Sequence, residues 1–163
     1  TMRGKSYLQI GSICMGIGGS IIDPAFIEEY LGMRVESVDE VEIIRRMTEG
    51  IYDQAEFEKA LAWAKANCIE GFDKNPEDMQ KTREEKDAQW EFVVKMMVII
   101  KDLMNGNKNL PEGCEEEMVG HNALAAGFAD FWQFHDANHA ERRYCFFPEN
   151  KFVSAWRCHR ILL

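Results

Sequence analysis

Tyr7 to Met15 (YLQIGSICM) is an uncharged and largely apolar run, the pattern of a strand covered on both faces. It passes into the small, flexible turn Gly16-Ile17-Gly18-Gly19-Ser20. Asp23 before Pro24 then reads as a helix N-cap with proline at the first helical position, where its missing N–H costs nothing. The helix runs from Pro24 to Leu31, gathers Phe26, Ile27, Tyr30 and Leu31 on one side, and stops at Gly32. Met33 to Val38 alternates and reads as a second strand. A strand, a short helix and a second strand in this order predict a right-handed parallel crossover.

Helical spacing dominates the middle of the chain. Asp39 to Thr48 carries Val41, Ile43, Ile44 and Met47, with acids early and Arg45-Arg46 late, the order the helix dipole favours. Asp53 to Cys68 carries Ala55, Phe57, Leu61, Ala64 and Cys68, with Gly71 closing it. Asn75-Pro76-Glu77 opens a long segment to Met104, in which Ala88, Phe92, Met96, Ile99, Ile100 and Leu103 recur at helical intervals. After a surface connection with Pro111 and Gly113, a further helix is expected from near Glu116 through Ala126 to at least Phe131. Arg143 to Phe147 and Phe152 to Trp156 are candidate short strands. The sum is a helix-rich α/β chain without internal repeats.

Charge adds a division. The 163 residues carry a net −9, but residues 140 to 163 hold five basic residues against two acidic ones, so this aromatic tail is +3 and residues 1 to 139 are −12. An acidic body argues against a nucleic-acid or anionic-membrane partner, since both need a basic face. No apolar run reaches the ~20 residues of a membrane-spanning helix, and the start of the chain lacks the apolar stretch of a signal peptide. Five cysteines with no Cys-x-x-Cys indicate reduced thiols in a cytoplasmic chain.

Two places invite chemistry. The turn at Gly16–Ser20, between a strand and a helix, has the build of a loop whose backbone N–H groups meet an anion. Gly16-x-Gly18 begins a dinucleotide fingerprint whose third glycine is replaced by Ile21, while Asp39 stands about twenty residues on, where a ribose-binding acid belongs. The simpler reading is the tight turn any parallel α/β unit requires. His135 and His139 are four apart and would share one helix face, as zinc ligands do. They lack the glutamate beside the first histidine that a zincin requires, and a solvated polar stretch explains them more simply. Met96-Met97 reads as core packing, and Glu115 to Glu117 as a solvated helix start.

Longer blocks are more specific. Ser12-Ile13-Cys14-Met15-Gly16-Ile17-Gly18-Gly19-Ser20-Ile21-Ile22-Asp23 and Tyr30-Leu31-Gly32-Met33-Arg34-Val35 resemble the opening of the middle domain of the L-fucose isomerase family. The resemblance continues through Val38-Asp39, Glu42 to Arg46, Ile51-Tyr52-Asp53, Ala60 to Ala64, Asp102 to Asn107 and Gly120 to Phe128. It covers about residues 7 to 128 and implies a domain over 1–128, followed by an unmatched basic and aromatic tail over 129–163.

The resemblance implies a partial parallel sheet of Rossmann or flavodoxin type with helices on its faces. It also implies a piece of an aldose–ketose isomerase of the L-fucose to L-fuculose kind, working through an ene-diol with manganese as the cofactor of the intact family. The metal polarises the sugar oxygens and eases removal of a carbon-bound proton. The family's Glu, Asp and His ligands lie downstream of the matched region, so the expectation for this chain is no cofactor and no turnover alone. Met15, Gly16, Gly18, Gly19 and Ser20 are the expected substrate-facing residues. Expected partners are the sugar, the remaining isomerase domains and further copies of the chain. After Phe128 the family's Gln-Gly-Gln-Arg is replaced by Ala129-Asp130-Phe131-Trp132, as truncation, a frame change or a divergent boundary would produce. The competing expectation is a small non-catalytic module that binds a sugar phosphate or nucleotide at the Gly16–Ser20 turn.

Overall fold

Ser6, Leu8 and Ile10 point into the protein from β1 (Ser6–Ile10), which among the described residues is the middle strand of a three-stranded parallel sheet. The computed structural model describes residues 2–11, 21–71, 76 and 80–129. On one side β1 pairs with β2 (Arg34–Val38), from Ser6 opposite Arg34 to Ile10 opposite Val38. On the other it pairs with β3 (Ala123–Phe128), from Ser6 opposite Ala123 to Ile10 opposite Phe128, with a bulge after Ser6. Burial alternates along β1, with Tyr7 and Gln9 half-buried. The strand is therefore not enclosed on both faces, as its apolar run had implied.

Local sequence decides the helix boundaries. α1 (Pro24–Leu31) starts where Asp23 accepts the Ala25 N–H at 3.0 Å and ends at Gly32, which takes φ 68°. α2 (Glu40–Glu49) and α3 (Gln54–Asn67) begin alike: Asp39 accepts from Val41 N at 2.9 Å, and Asp53 from Glu56 N at 3.0 Å. α4 (Arg83–Asn105) starts later than the hydrophobic period implied. Thr82 and Glu85 close a reciprocal cap, Oγ1 accepting from Glu85 N at 3.2 Å and Glu85 Oε2 from Thr82 N at 2.8 Å. That Thr-x-x-Glu box satisfies two orphan donors at once and fixes the start.

The core sits where α2 and α4 cover one face of the sheet. Leu8, Ile10, Ile43, Met96, Ile99, Ile100, Leu103 and Ala123 form one buried cluster, and Met96 is core, as its spacing implied. A second cluster of Phe57, Ala64 and Val94 fastens α3 to the outside of α4. α1 lies against β2 and buries none of its residues, so its apolar side faces outward.

The helix expected from near Glu116 to at least Phe131 does not form over its described part: residues 123–128 are β3, and the residues before it form turns. Ala123 to Ala126 are good helix formers, but pairing with β1 and burial of Ala123 override that weak preference. Glu117 is likewise no free helix start, because its Oε1 accepts from Arg45 Nη2 at 2.7 Å. The connection into β3 lies tightly on the end of α4. Asn107 N donates to Met118 O at 3.1 Å, and His121 N to Leu103 O at 2.9 Å. The starting residues Asn75 and Glu77, the Met15–Ser20 turn, His135, His139 and both tail strands fall outside the described residues.

Candidate functional site at the carboxyl edge of the sheet

In parallel α/β sheets, ligands gather beyond the carboxyl ends of the strands, where loops leave. Here that edge is Gly11, Asp39 and Ala129. Gly11 N donates to Val38 O at 2.8 Å, and Ala129 N to Ile10 O at 2.8 Å, so the three strand ends are held level. Residues 12–20 depart from Gly11 and rejoin at Ile21, two residues before the α1 cap. The expected substrate-facing set of Met15, Gly16, Gly18, Gly19 and Ser20 is outside the described residues.

Gly11 has φ +83°, and a Cβ built on it falls 2.8 Å from Glu40 Oε1. Only glycine permits both that backbone and that approach. Glu40 is itself buried, at the first position of α2, where the helix dipole favours a carboxylate. Asp39, the candidate ribose acid, stands at the end of β2 as expected, but one carboxylate oxygen is committed to capping α2.

A second polar cluster lies at the opposite end of the strands. Ser6 Oγ donates to Glu36 Oε1 at 2.9 Å, and His121 Nδ1 meets Glu36 Oε2 at 2.6 Å. The cluster ties β2 to the entry of β3 across β1. The hydrogen bond from His121, then that from Ser6, hold the Glu36 carboxyl below its usual range. A depressed carboxyl contributes stability above its unfolded pKa and loses it as pH falls through the folded value. Glu36→Gln is therefore expected to lower the urea midpoint at pH 7 and to flatten its fall between about pH 5 and 3. An acid limb unchanged from the parent would show that the cluster does not link β2 to β3 energetically.

A third cluster is structural. Arg46, almost fully buried, donates from Nε to Glu42 Oε1 at 2.7 Å and from Nη1 to Glu117 O at 3.3 Å. Arg45 beside it spans Glu42, Glu49 and Glu117. Together they clamp α2 to the connection that leads into β3. Sequence reading missed both clusters, because Glu36 and His121, like Arg45 and Glu117, are far apart along the chain.

Among the described residues no three His, Cys, Asp or Glu side chains converge as a metal site, and no helix is long and apolar enough to cross a membrane. Cys68 and Cys114, the two cysteines among the described residues, form no disulfide.

The comparisons with known proteins match the amino-acid sequence to one family. Residues 5–143 match the family model described as "L-fucose isomerase, second N-terminal domain". The chain is similar to the L-fucose isomerase of Phocaeicola vulgatus, 61% identical over 139 residues, covering 83% of this chain and 24% of that protein. The L-fucose isomerase of Bacteroides thetaiotaomicron is 60% identical over 140 residues, with 83% and 24% covered. That of Bacteroides fragilis is 53% identical over 158 residues, with 95% and 25% covered. The chain thus spans about a quarter of the length of the curated relatives it matches. It belongs to the L-fucose isomerase family, in the part described as the second N-terminal domain.

Proposed function

We propose that the chain serves an aldose–ketose isomerase acting on L-fucose as one of its domains, and that it does not turn over sugar alone. One observation carries the reading: 61% identity along 139 residues to a protein named L-fucose isomerase, of which those residues are only 24%. Identity at that level preserves the fold, while most of the polypeptide that would complete a sugar pocket lies elsewhere. The domain's own contribution is positional. Gly11 and Ile21 flank residues 12–20 in the chain, and Met15, Gly16, Gly18, Gly19 and Ser20 among them are the residues assigned to the sugar. The protein works in the cytoplasm on a free sugar, with the other isomerase domains and further copies of the subunit as partners, and without nucleic acid or membrane.

Manganese is the metal the resemblance implies, and the described residues do not fit it, since they bring no triad of ligating side chains together. No step of the reaction is therefore assigned to a metal on this domain. The test is a coupled assay for ketose formation from L-fucose with the purified chain and manganese. No turnover above the protein-free blank is expected, with activity in a full-length relative assayed alongside. Turnover by the chain alone would overturn the reading.

A further inference from the structure

Among the described helices α1 alone buries none of its residues. Its Phe26 and Tyr30 rings meet at a tilt of 35° with centroids 4.5 Å apart and stay 52% and 67% exposed, and Leu31 and Ile21 are also exposed. No described residue buries this face, and the topology bears on what could cover it. The chain moves from β1 to β2 in one direction and from β2 across to β3 in the other. Right-handed connections then put α1 on one face of the sheet and α2 to α4 on the other. The main core lies wholly on the α2–α4 side. On the α1 side Tyr7 and Gln9 remain half-buried and Leu124 is exposed, although parallel sheets are ordinarily covered on both faces. A further strand added beside β3 would again send its crossover helix to the α2–α4 side, so continuation of the sheet does not cover α1.

The incoming chain passes the open face. Gly4 N donates to Gly32 O at 3.1 Å, and the Arg3 side chain lies over Gly32, immediately after α1. The described chain therefore enters, at Arg3 and Gly4, beside the end of α1. A second N-terminal domain implies a first one ahead of it. We propose that the α1 face, centred on Phe26 and Tyr30, is the docking surface for that preceding N-terminal domain in the intact protein. The complementary surface is apolar with Lys or Arg at its rim, because α1 carries Glu28 and Glu29 and no basic residue. The same charges disfavour a second copy, since a two-fold contact through α1 sets these glutamates against their own counterparts.

The proposal rests on reading the chain as one domain of a longer isomerase, and its test is separate from the activity assay. Hydrogen exchange of peptide 24–31 in this chain is compared with that of the aligned helix in the intact Phocaeicola vulgatus relative. A photo-crosslinking residue is placed at the position aligned with Tyr30, in assemblies mixed from 14N and 15N subunits. The expected result is strong protection of the helix in the intact protein and same-isotope cross-links to residues ahead of this domain. Exchange as fast as in the isolated chain, cross-links to later residues, or mixed-isotope cross-links would each overturn it. So would a dimer of the isolated chain, seen by sedimentation, that Tyr30→Glu abolishes.

Discussion

Gly120→Ala is expected to leave the chain largely unfolded. A Cβ built on Gly120 falls 2.9 Å from the Asn105 carbonyl oxygen and closer still to Asn105 C and Gly106 N. These are backbone atoms at the end of α4, so no rotamer change relieves the clash. Gly106 is pinned from its own side: it has φ +77°, and a Cβ there would lie 2.6 Å from Met118 O and 2.9 Å from Gly120 N. Moving the strap outward to admit a methyl group breaks the bonds from Asn107 to Met118 and from His121 to Leu103. It also shifts the entry of β3, whose Ala123 belongs to the core. The expected loss is about 3–5 kcal/mol, comparable with the whole stability of many domains this size. Urea denaturation followed by circular dichroism reads it. Gly71→Ala is the control, since no atom of the described residues lies within 4 Å of a Cβ there, and it should change stability by less than about 0.5 kcal/mol. A Gly120→Ala midpoint equal to that of the control would mean the strap lifts freely.

Asp102→Asn is expected to stabilise the protein at neutral pH and to remove a pH dependence. Asp102 sits on α4 with no solvent exposure; Oδ1 accepts from Asn107 Nδ2 at 3.0 Å, and Oδ2 is buried without a hydrogen-bond partner. Burial disfavours the charged form and pushes the carboxyl up to about 6, against the opposing pull of the Asn107 hydrogen bond and Lys101. The folded state therefore holds its proton more tightly than the unfolded state. The stability this lends is complete below about pH 4 and is lost as pH rises through about 6, the reverse of the Glu36 dependence. Asparagine keeps an acceptor for Asn107 and carries no charge to bury. The variant should exceed the parent by on the order of 2 kcal/mol at pH 8, and the two curves should converge toward pH 4. A constant difference between pH 4 and 8 would show that Asp102 does not titrate across folding.

Where order was set within a few residues, the sequence was legible. Asp23-Pro24, Asp39 and Asp53 each cap the helix they announce, and Met96, Ile99 and Leu103 face the core as their spacing implied. The parallel pairing of β1 and β2 also followed from a short strand–helix–strand unit. β3 failed because Asn122-Ala123-Leu124-Ala125-Ala126 has helical composition, and its extended form is imposed by β1, more than a hundred residues earlier. α1 differs again: its apolar side is real, but it buries no residue, and Phe26, Tyr30 and Leu31 stay exposed. The turn read at Gly16–Ser20 lies outside the described residues, and the Gly11–Glu40 contact was not legible, because nothing local couples those two residues.

The strand order has a consequence for how the chain is made. Ser6 pairs with Arg34 on one side and with Ala123 on the other, so the middle strand is synthesised first and completed last. During translation β1 and β2 can join early, while the other edge of β1 waits until α2, α3 and α4 have all emerged. Contacts that span so much sequence are slow to form, because loop closure must precede the pairing that rewards it. A ribosome that stopped before Ala123 would release a two-stranded sheet with Leu8 and Ile10 still facing an unfinished core, a template for pairing with another nascent chain.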